Sequence, residues 1–211
     1  MEEIGYDFRF KMLVLGSKSV GKSLLVRRLA GLDTIDFKSD ATIGVEFSTH
    51  KMVYKDKLIK LHLWDTAGDK AFEKILTPYY KNMACIFIVF DLTNKDSLDQ
   101  AGKAYENYML KKEIDNNPPI IFLGNKMDLP GERQISSAKG QIFALERECH
   151  YMEVSAKTGA NVSDMLKFIV EEMSKNIDPY VGGYGIQLGF KTDSSEVKKR
   201  GCYSGSYCII S

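Results

Sequence analysis

Along this chain, apolar and polar positions switch repeatedly between a strand-like and a helix-like period. Phe8–Leu15 is apolar with polar interruptions and runs into a glycine-rich turn, which predicts a strand. Lys22–Ala30 has helical spacing, with Leu24, Leu25 and Leu29 on or near one face. Glu46–Tyr54 and Lys57–Trp64 alternate partly with period two. Lys55 and Asp56 lie between them, so the pair predicts an antiparallel hairpin. Met83–Phe90 and Ile120–Leu123 are short, continuous apolar runs, the pattern of strands buried on both faces. Helices are expected at Ser97–Glu113, Ser136–Arg147 and Val162–Asn176, and a last strand at Tyr151–Val154. Alternating strands and helices predict an α/β fold: a six-stranded, mostly parallel sheet with one antiparallel strand and helices on both faces. In such sheets ligands sit beyond the carboxyl ends of the strands.

After Asn176 the periodicity stops and Gly, Tyr, Ser and Lys dominate, so residues 177–201 read as a flexible linker. No internal repeat is visible. The expected organisation is an extension at 1–7, one domain at 8–176 and a tail at 177–211.

Composition narrows the class. A chain of 211 residues, 44% hydrophobic and 27% charged, suits one soluble domain with a tail and is short for two domains. Its net charge of +1 carries no footprint for nucleic acid or an acidic substrate. No stretch reaches the ~18 apolar residues of a membrane helix. The opening Met1-Glu-Glu-Ile-Gly5 lacks the basic start and apolar centre of a secretory signal. Cys85, Cys149, Cys202 and Cys208 form no disulfide framework, which fits a reducing cytosol.

The chemistry begins at Gly16-Ser-Lys-Ser-Val-Gly-Lys-Ser23, which fits G-x-x-x-x-G-K-[ST] between an expected strand and an expected helix. Its glycines let the backbone curl so that N–H groups, among them those of Ser19, Val20, Gly21 and Leu24, face phosphates. The helix N-terminus adds a favourable dipole. Lys22 would hold the outer phosphates and the Ser23 hydroxyl would ligate Mg²⁺. Asp65-Thr-Ala-Gly68 follows the expected strand at Lys57–Trp64. Asp65 can reach the metal through its water shell, and Gly68 can offer its N–H to a γ-phosphate.

Asn125-Lys-Met-Asp128 follows the buried run Ile120–Leu123. Guanine presents N1–H and an exocyclic amine side by side, and the Asp128 carboxylate can accept both. Adenine offers an acceptor at that ring nitrogen, so it would leave the carboxylate unpaired. Asn125 would brace the pocket, Lys126 would lie along the base, and the Ser155-Ala156-Lys157 segment could offer a backbone N–H to the guanine oxygen.

Taken with their order, these motifs resemble the Ras superfamily of small GTPases from about Phe8 to Asn176. The Rab branch is the most similar. Ile43-Gly-Val-Glu-Phe47 resembles its first-switch signature, and Lys60-Leu-His-Leu-Trp-Asp-Thr-Ala-Gly68 its entry to the second switch. Tyr79-Tyr80 resembles the pair that closes that switch, and Ile88-Val-Phe-Asp-Leu-Thr93 the strand that follows. The segment after Asp128 is too short for the helical insert of the Rho branch. The resemblance implies GTP and GDP as ligands with Mg²⁺, and Thr42 binding the metal and γ-phosphate. It also implies a monomer that works with an exchange factor, an activating protein and effectors at Asp40–Phe47 and Gly68–Tyr80, in vesicle traffic on the cytoplasmic face of membranes.

Several positions depart from the family pattern. Asp69 stands where most members carry the glutamine that orients the attacking water. A carboxylate is shorter, accepts only, and repels the phosphate, so slow intrinsic hydrolysis is expected. Lys18 stands where the loop residue is usually small. It either crowds the water and any arginine finger or lends a positive charge in the manner of one, and the sequence leaves both open. Ile35 takes the place of the aromatic ring that borders guanine; either Phe37, two residues on, swings in or the contact is weak.

The chain ends Cys208-Ile-Ile-Ser211, a C-a-a-X pattern whose terminal serine favours farnesyl on Cys208. Many Rab proteins instead end in paired cysteines that take two geranylgeranyl groups. One lipid holds a protein only marginally. Lys198-Lys-Arg200 would add about 1 kcal/mol per basic residue at an anionic surface, and Cys202 is a candidate for palmitoylation.

Overall fold

The computed structural model describes residues 6–32, 42–112 and 117–175. Its elements are β1 (Phe8–Leu15), α1 (Lys22–Leu29), β2 (Val45–Tyr54), β3 (Lys57–Thr66), β4 (Cys85–Asp91), α2 (Lys95–Lys111), β5 (Ile120–Asn125), α3 (Ser137–Leu145), β6 (His150–Glu153) and α4 (Val162–Lys175). Short 3-10 turns fill Lys70–Ile75, Thr77–Tyr80 and Pro130–Glu132. The periodicity had assigned none of these turns.

The strands form one six-stranded sheet in the order β2-β3-β1-β4-β5-β6. Only the β2–β3 hairpin is antiparallel. Lys55 and Asp56 turn the hairpin, both with positive φ (47° and 60°). The architecture expected from the alternation of periods is the one observed.

Strand alternation divides the core between the two faces. Phe10, Met12 and Val14 of β1, with Cys85, Phe87 and Val89 of β4, point to the side covered by Leu25 and Leu29 of α1 and Ile169 of α4. Leu13 and Leu15, with Ile86, Ile88 and Phe90, point to the other side, against Leu98 and Tyr108 of α2 and Ala144 of α3. β4 is buried at every residue, and from Cys85 to Phe90 its run is continuously apolar, with the buried Asp91 closing it.

Element ends shift where a partner or a cap decides them. β3 continues to Thr66 because Thr66 pairs with Val45, and β5 continues to Asn125 because Asn125 pairs with Asp91. α2 starts at Lys95, earlier than its apolar face suggests, because the Asn94 side chain accepts from the Asp96 N–H at 3.0 Å. Ser136 lies outside α3 as its cap, accepting from the Lys139 N–H at 3.2 Å. These ends bring the loops after β1, β3, β4, β5 and β6 to one edge of the sheet.

Candidate functional site

The loop after β1 is shaped by two glycines. Gly16 has φ +141°, and a Cβ there would sit 2.2 Å from the Val89 carbonyl oxygen. Gly21 has φ +95°, and its Cβ would sit 2.3 Å from Nδ2 of Asn125. A side chain fits at neither position. Between them Ser19 also takes positive φ, 64°. Val20 is buried in the core, and Leu24 packs its side chain against that core, so both can offer a phosphate only their backbone. Lys22 is 6% exposed and folds back to donate from Nζ to the Ser17 carbonyl at 2.8 Å. Burial pushes its pKa down to about 8, partly opposed by the Asp65 carboxylate.

Three oxygen-bearing side chains converge beside the loop. Oγ of Ser23 and Oγ1 of Thr42 are 2.8 Å apart, and Thr42 donates to Oδ2 of Asp65 at 3.3 Å. Oδ1 of Asp65 is buried without a partner among the described residues. Burial raises the Asp65 pKa, against hydrogen bonds from Ser23 and Thr42 and the charge of Lys22. Two hydroxyls and an under-satisfied carboxylate fit a hard cation such as Mg²⁺, which prefers oxygen ligands.

Gly68 lies hard against the same loop. A Cβ on it would meet the Lys18 nitrogen at 2.4 Å and the Ser17 carbonyl oxygen at 2.5 Å, so only glycine permits this approach. Asp69 is exposed, and its Oδ1 accepts from the Ala71 N–H at 2.9 Å. The carboxylate thus caps the turn Lys70–Ile75. A cavity of about 70 Å³ opens beside it, between Gly16, Ala67, Tyr80 and Lys103.

Asn125 ties three loops together. It is 2% exposed, donates from Nδ2 to the Val20 carbonyl at 2.8 Å, and accepts at Oδ1 from the Ala156 N–H at 2.9 Å. Asp128 is oriented by the buried Ser155, whose Oγ donates to its Oδ1 at 2.6 Å. Lys126 has φ 67° and pairs with Asp91 at 2.6 Å. Lys157 is exposed, and its carbonyl accepts from Arg28 at 2.7 Å.

The structure therefore gathers Thr42, Asp65 and Gly68 at the loop 16–23, and gathers Asp128, Ser155 and Ala156 around Asn125, which is tied to the same loop at Val20. Phe37, Cys202 and Cys208 lie outside the described residues. Some contributors carried no motif. Asp91 holds Lys126 while its Oδ1 accepts from Thr93. A carboxylate closing the fully apolar run of β4 was the available signal, since a buried charge needs a partner. Arg28 clamps the last loop across the fold, donating to the carbonyls of Ala156 and Lys157. Arg133 pairs with both oxygens of Glu153 at 2.9 and 2.7 Å, joining the loop after β5 to β6. Neither arginine had a local sequence signal.

Residues 11–175 match the Ras family. The chain is 35% identical to the GTP-binding protein ypt3 of Schizosaccharomyces pombe over 172 residues, 82% of this chain and 79% of that one. It is 32% identical to the Ras-related protein RABA1f of Arabidopsis thaliana over 210 residues, 94% of this chain and 95% of that one. It is 35% identical to the Ras-related protein Rab-4A of Danio rerio, covering 87% of each chain.

Proposed function

Because this chain belongs to the Ras family and is a Rab-like, GTP-binding switch protein of vesicle traffic, we propose that it cycles between GTP and GDP with Mg²⁺, hydrolyses GTP slowly and recruits effectors at a membrane. The arrangement of Asn125, Asp128 and Ser155 carries the reading of guanine. Ser155 fixes the rotation of the Asp128 carboxylate, and Asn125 locks the phosphate loop to the base loop. A base lacking adjacent N–H donors would leave that carboxylate unpaired.

Ser23, Thr42 and Asp65 are the residues that would hold Mg²⁺, directly or through water. The metal would neutralise charge on the outer phosphates. Lys22 and the backbone of 16–23 bind and orient the phosphates, and the Gly68 N–H would sense the terminal one.

Effector docking is assigned to 40–47 and 68–80, with an exchange factor and an activating protein as further partners. Ile43 is 80% and Phe47 49% exposed, and Phe47, Trp64 and Tyr79 form a continuous aromatic row with centroids 4.9 and 5.2 Å apart. Apolar surface of this kind favours a protein partner. Membrane attachment is assigned to Cys208 with the basic trio before it, and possible acylation of Cys202, all outside the described residues.

Equilibrium binding of fluorescent GDP and ADP in Mg²⁺, alongside Asp128→Ala, tests the reading. Wild type should prefer the guanine nucleotide by roughly 10⁴, and the variant should lose most of that preference. Equal affinity for the two nucleotides in wild type would overturn it.

A second reading, a GTP-bound recruitment platform that barely hydrolyses, is favoured by one observation. The Asp69 carboxylate is engaged by the Ala71 N–H, and it has no donor to offer a water or a transition-state oxygen.

A further inference from the structure

Lys18 projects from a part of the phosphate loop that lies against Gly68. Its backbone nitrogen would lie 2.4 Å from a Cβ on Gly68, and the preceding carbonyl, that of Ser17, accepts from the Lys22 ammonium. The side chain of Lys18 is exposed, in contrast to the buried Lys22. It makes no ion pair among the described residues. Asp69, next in the chain to Gly68, has a carboxylate oxygen committed to the Ala71 N–H. An uncommitted cation therefore starts where the loop, Lys22 and Gly68 meet.

We propose that Lys18 is a second phosphate-binding cation, selective for the terminal phosphate of a nucleoside triphosphate. This rests on the nucleotide reading above and adds to it a residue that tells GTP from GDP. The selectivity follows from position. On that reading a β-phosphate would sit within the curl of the loop, served by its backbone N–H groups, whereas a γ-phosphate would sit nearer Gly68, which lies against Ser17 and Lys18. A flexible ammonium arm rooted beside Gly68 gains a charge-assisted hydrogen bond only when that phosphate is present. Positive charge also offsets the repulsion that Asp69 brings to the same end, so the two departures from the family pattern compensate each other.

Release rates of fluorescent GDP and of a non-hydrolysable GTP analogue, measured in Mg²⁺ for wild type, Lys18→Ala and Lys18→Arg, test the proposal. Loss of one charge-assisted bond should speed release of the triphosphate analogue by about tenfold or more in Lys18→Ala. GDP release should change by less than about twofold, and Lys18→Arg should stay close to wild type because it keeps the charge. The triphosphate effect should shrink as salt rises, as expected for a solvent-exposed pair. An equal change for both nucleotides, or no change for either, would overturn the assignment while leaving the nucleotide reading intact. Wild-type protein that binds neither nucleotide would overturn both. Because the side chain is exposed, a thermal melt of the GDP form should be the same for all three proteins; a lowered melt in Lys18→Ala would make it a structural residue and also count against the proposal.

Discussion

The two ends of the proposed site are built by different means. At the base end the polar groups are paired within the protein: Asn125 with the Val20 carbonyl and Ala156 N–H, Asp128 with Ser155, Lys126 with Asp91. At the phosphate end charge is held with too few partners. Among the described residues Oδ1 of Asp65 is buried and unpaired and Lys22 donates to a carbonyl alone, and the Lys18 side chain lies exposed. The geometry of the base end is thus set by the fold in advance, as the proposed reading of guanine requires. At the phosphate end, desolvated charge raises the value of any ligand that completes it, which is what a switch needs if one phosphate is to change its state.

The largest test of this contrast is Asn125→Ala. It removes two buried hydrogen bonds and orphans their partners, at about 1–3 kcal/mol each, so nucleotide affinity should fall by about 10²–10³. A titration with fluorescent GDP reads it, and a change below about threefold would show that the base end is not held by this residue. Asp69→Gln comes next. It restores a donor at the phosphate end and should speed single-turnover GTP hydrolysis by at least about tenfold. An unchanged rate would mean that another group, Lys18 foremost, already stabilises the transition state.

Ser155→Ala should be gentler. It frees the rotation of Asp128 without removing it, and should reduce guanine-over-adenine preference by about tenfold, measured by competition binding. No loss would show that the backbone alone orients the carboxylate.

The smallest expected effect concerns pH. Burial pushes the Glu153 pKa up, but hydrogen bonds from Arg133 and Tyr151 outweigh it, and the carboxyl is held below its ordinary value of 4.5. The unfolded chain therefore binds more protons in that range. The stabilisation is present above about 4.5 and is lost as pH falls through the lower folded value. Melting temperature followed from pH 6 to pH 3 should decline more steeply in wild type than in Glu153→Gln. Parallel curves would show that the pair contributes nothing measurable, as for many partly exposed ion pairs.

Most of the fold, and the residues proposed for the site, could be read from the residues in order. Period two and period 3.6 are properties of neighbouring residues, so strands and helices showed themselves together with their sequence along the chain. Gly16 and Gly21 announced a curled loop because only glycine takes those backbone angles. Asp128 announced guanine because its chemistry matches two adjacent donors. The cap made by Asp69 was legible in principle, since a carboxylate two residues ahead of a free N–H is local turn chemistry. The missing glutamine drew attention to hydrolysis instead.

What the linear chain could not express is distance. Arg28 meets Ala156 across 128 positions, Asn125 meets Val20 across 105, and Thr42 meets Asp65 across 23. No repeat or spacing encodes such pairs, because they exist only after the sheet has assembled as β2-β3-β1-β4-β5-β6. By itself the sequence determined which residues have the chemistry to bind a guanine nucleotide. The tertiary structure alone decided which backbone groups hold them still at the base end, and which charges it leaves uncompensated at the phosphate end, since both depend on packing between loops far apart in the chain.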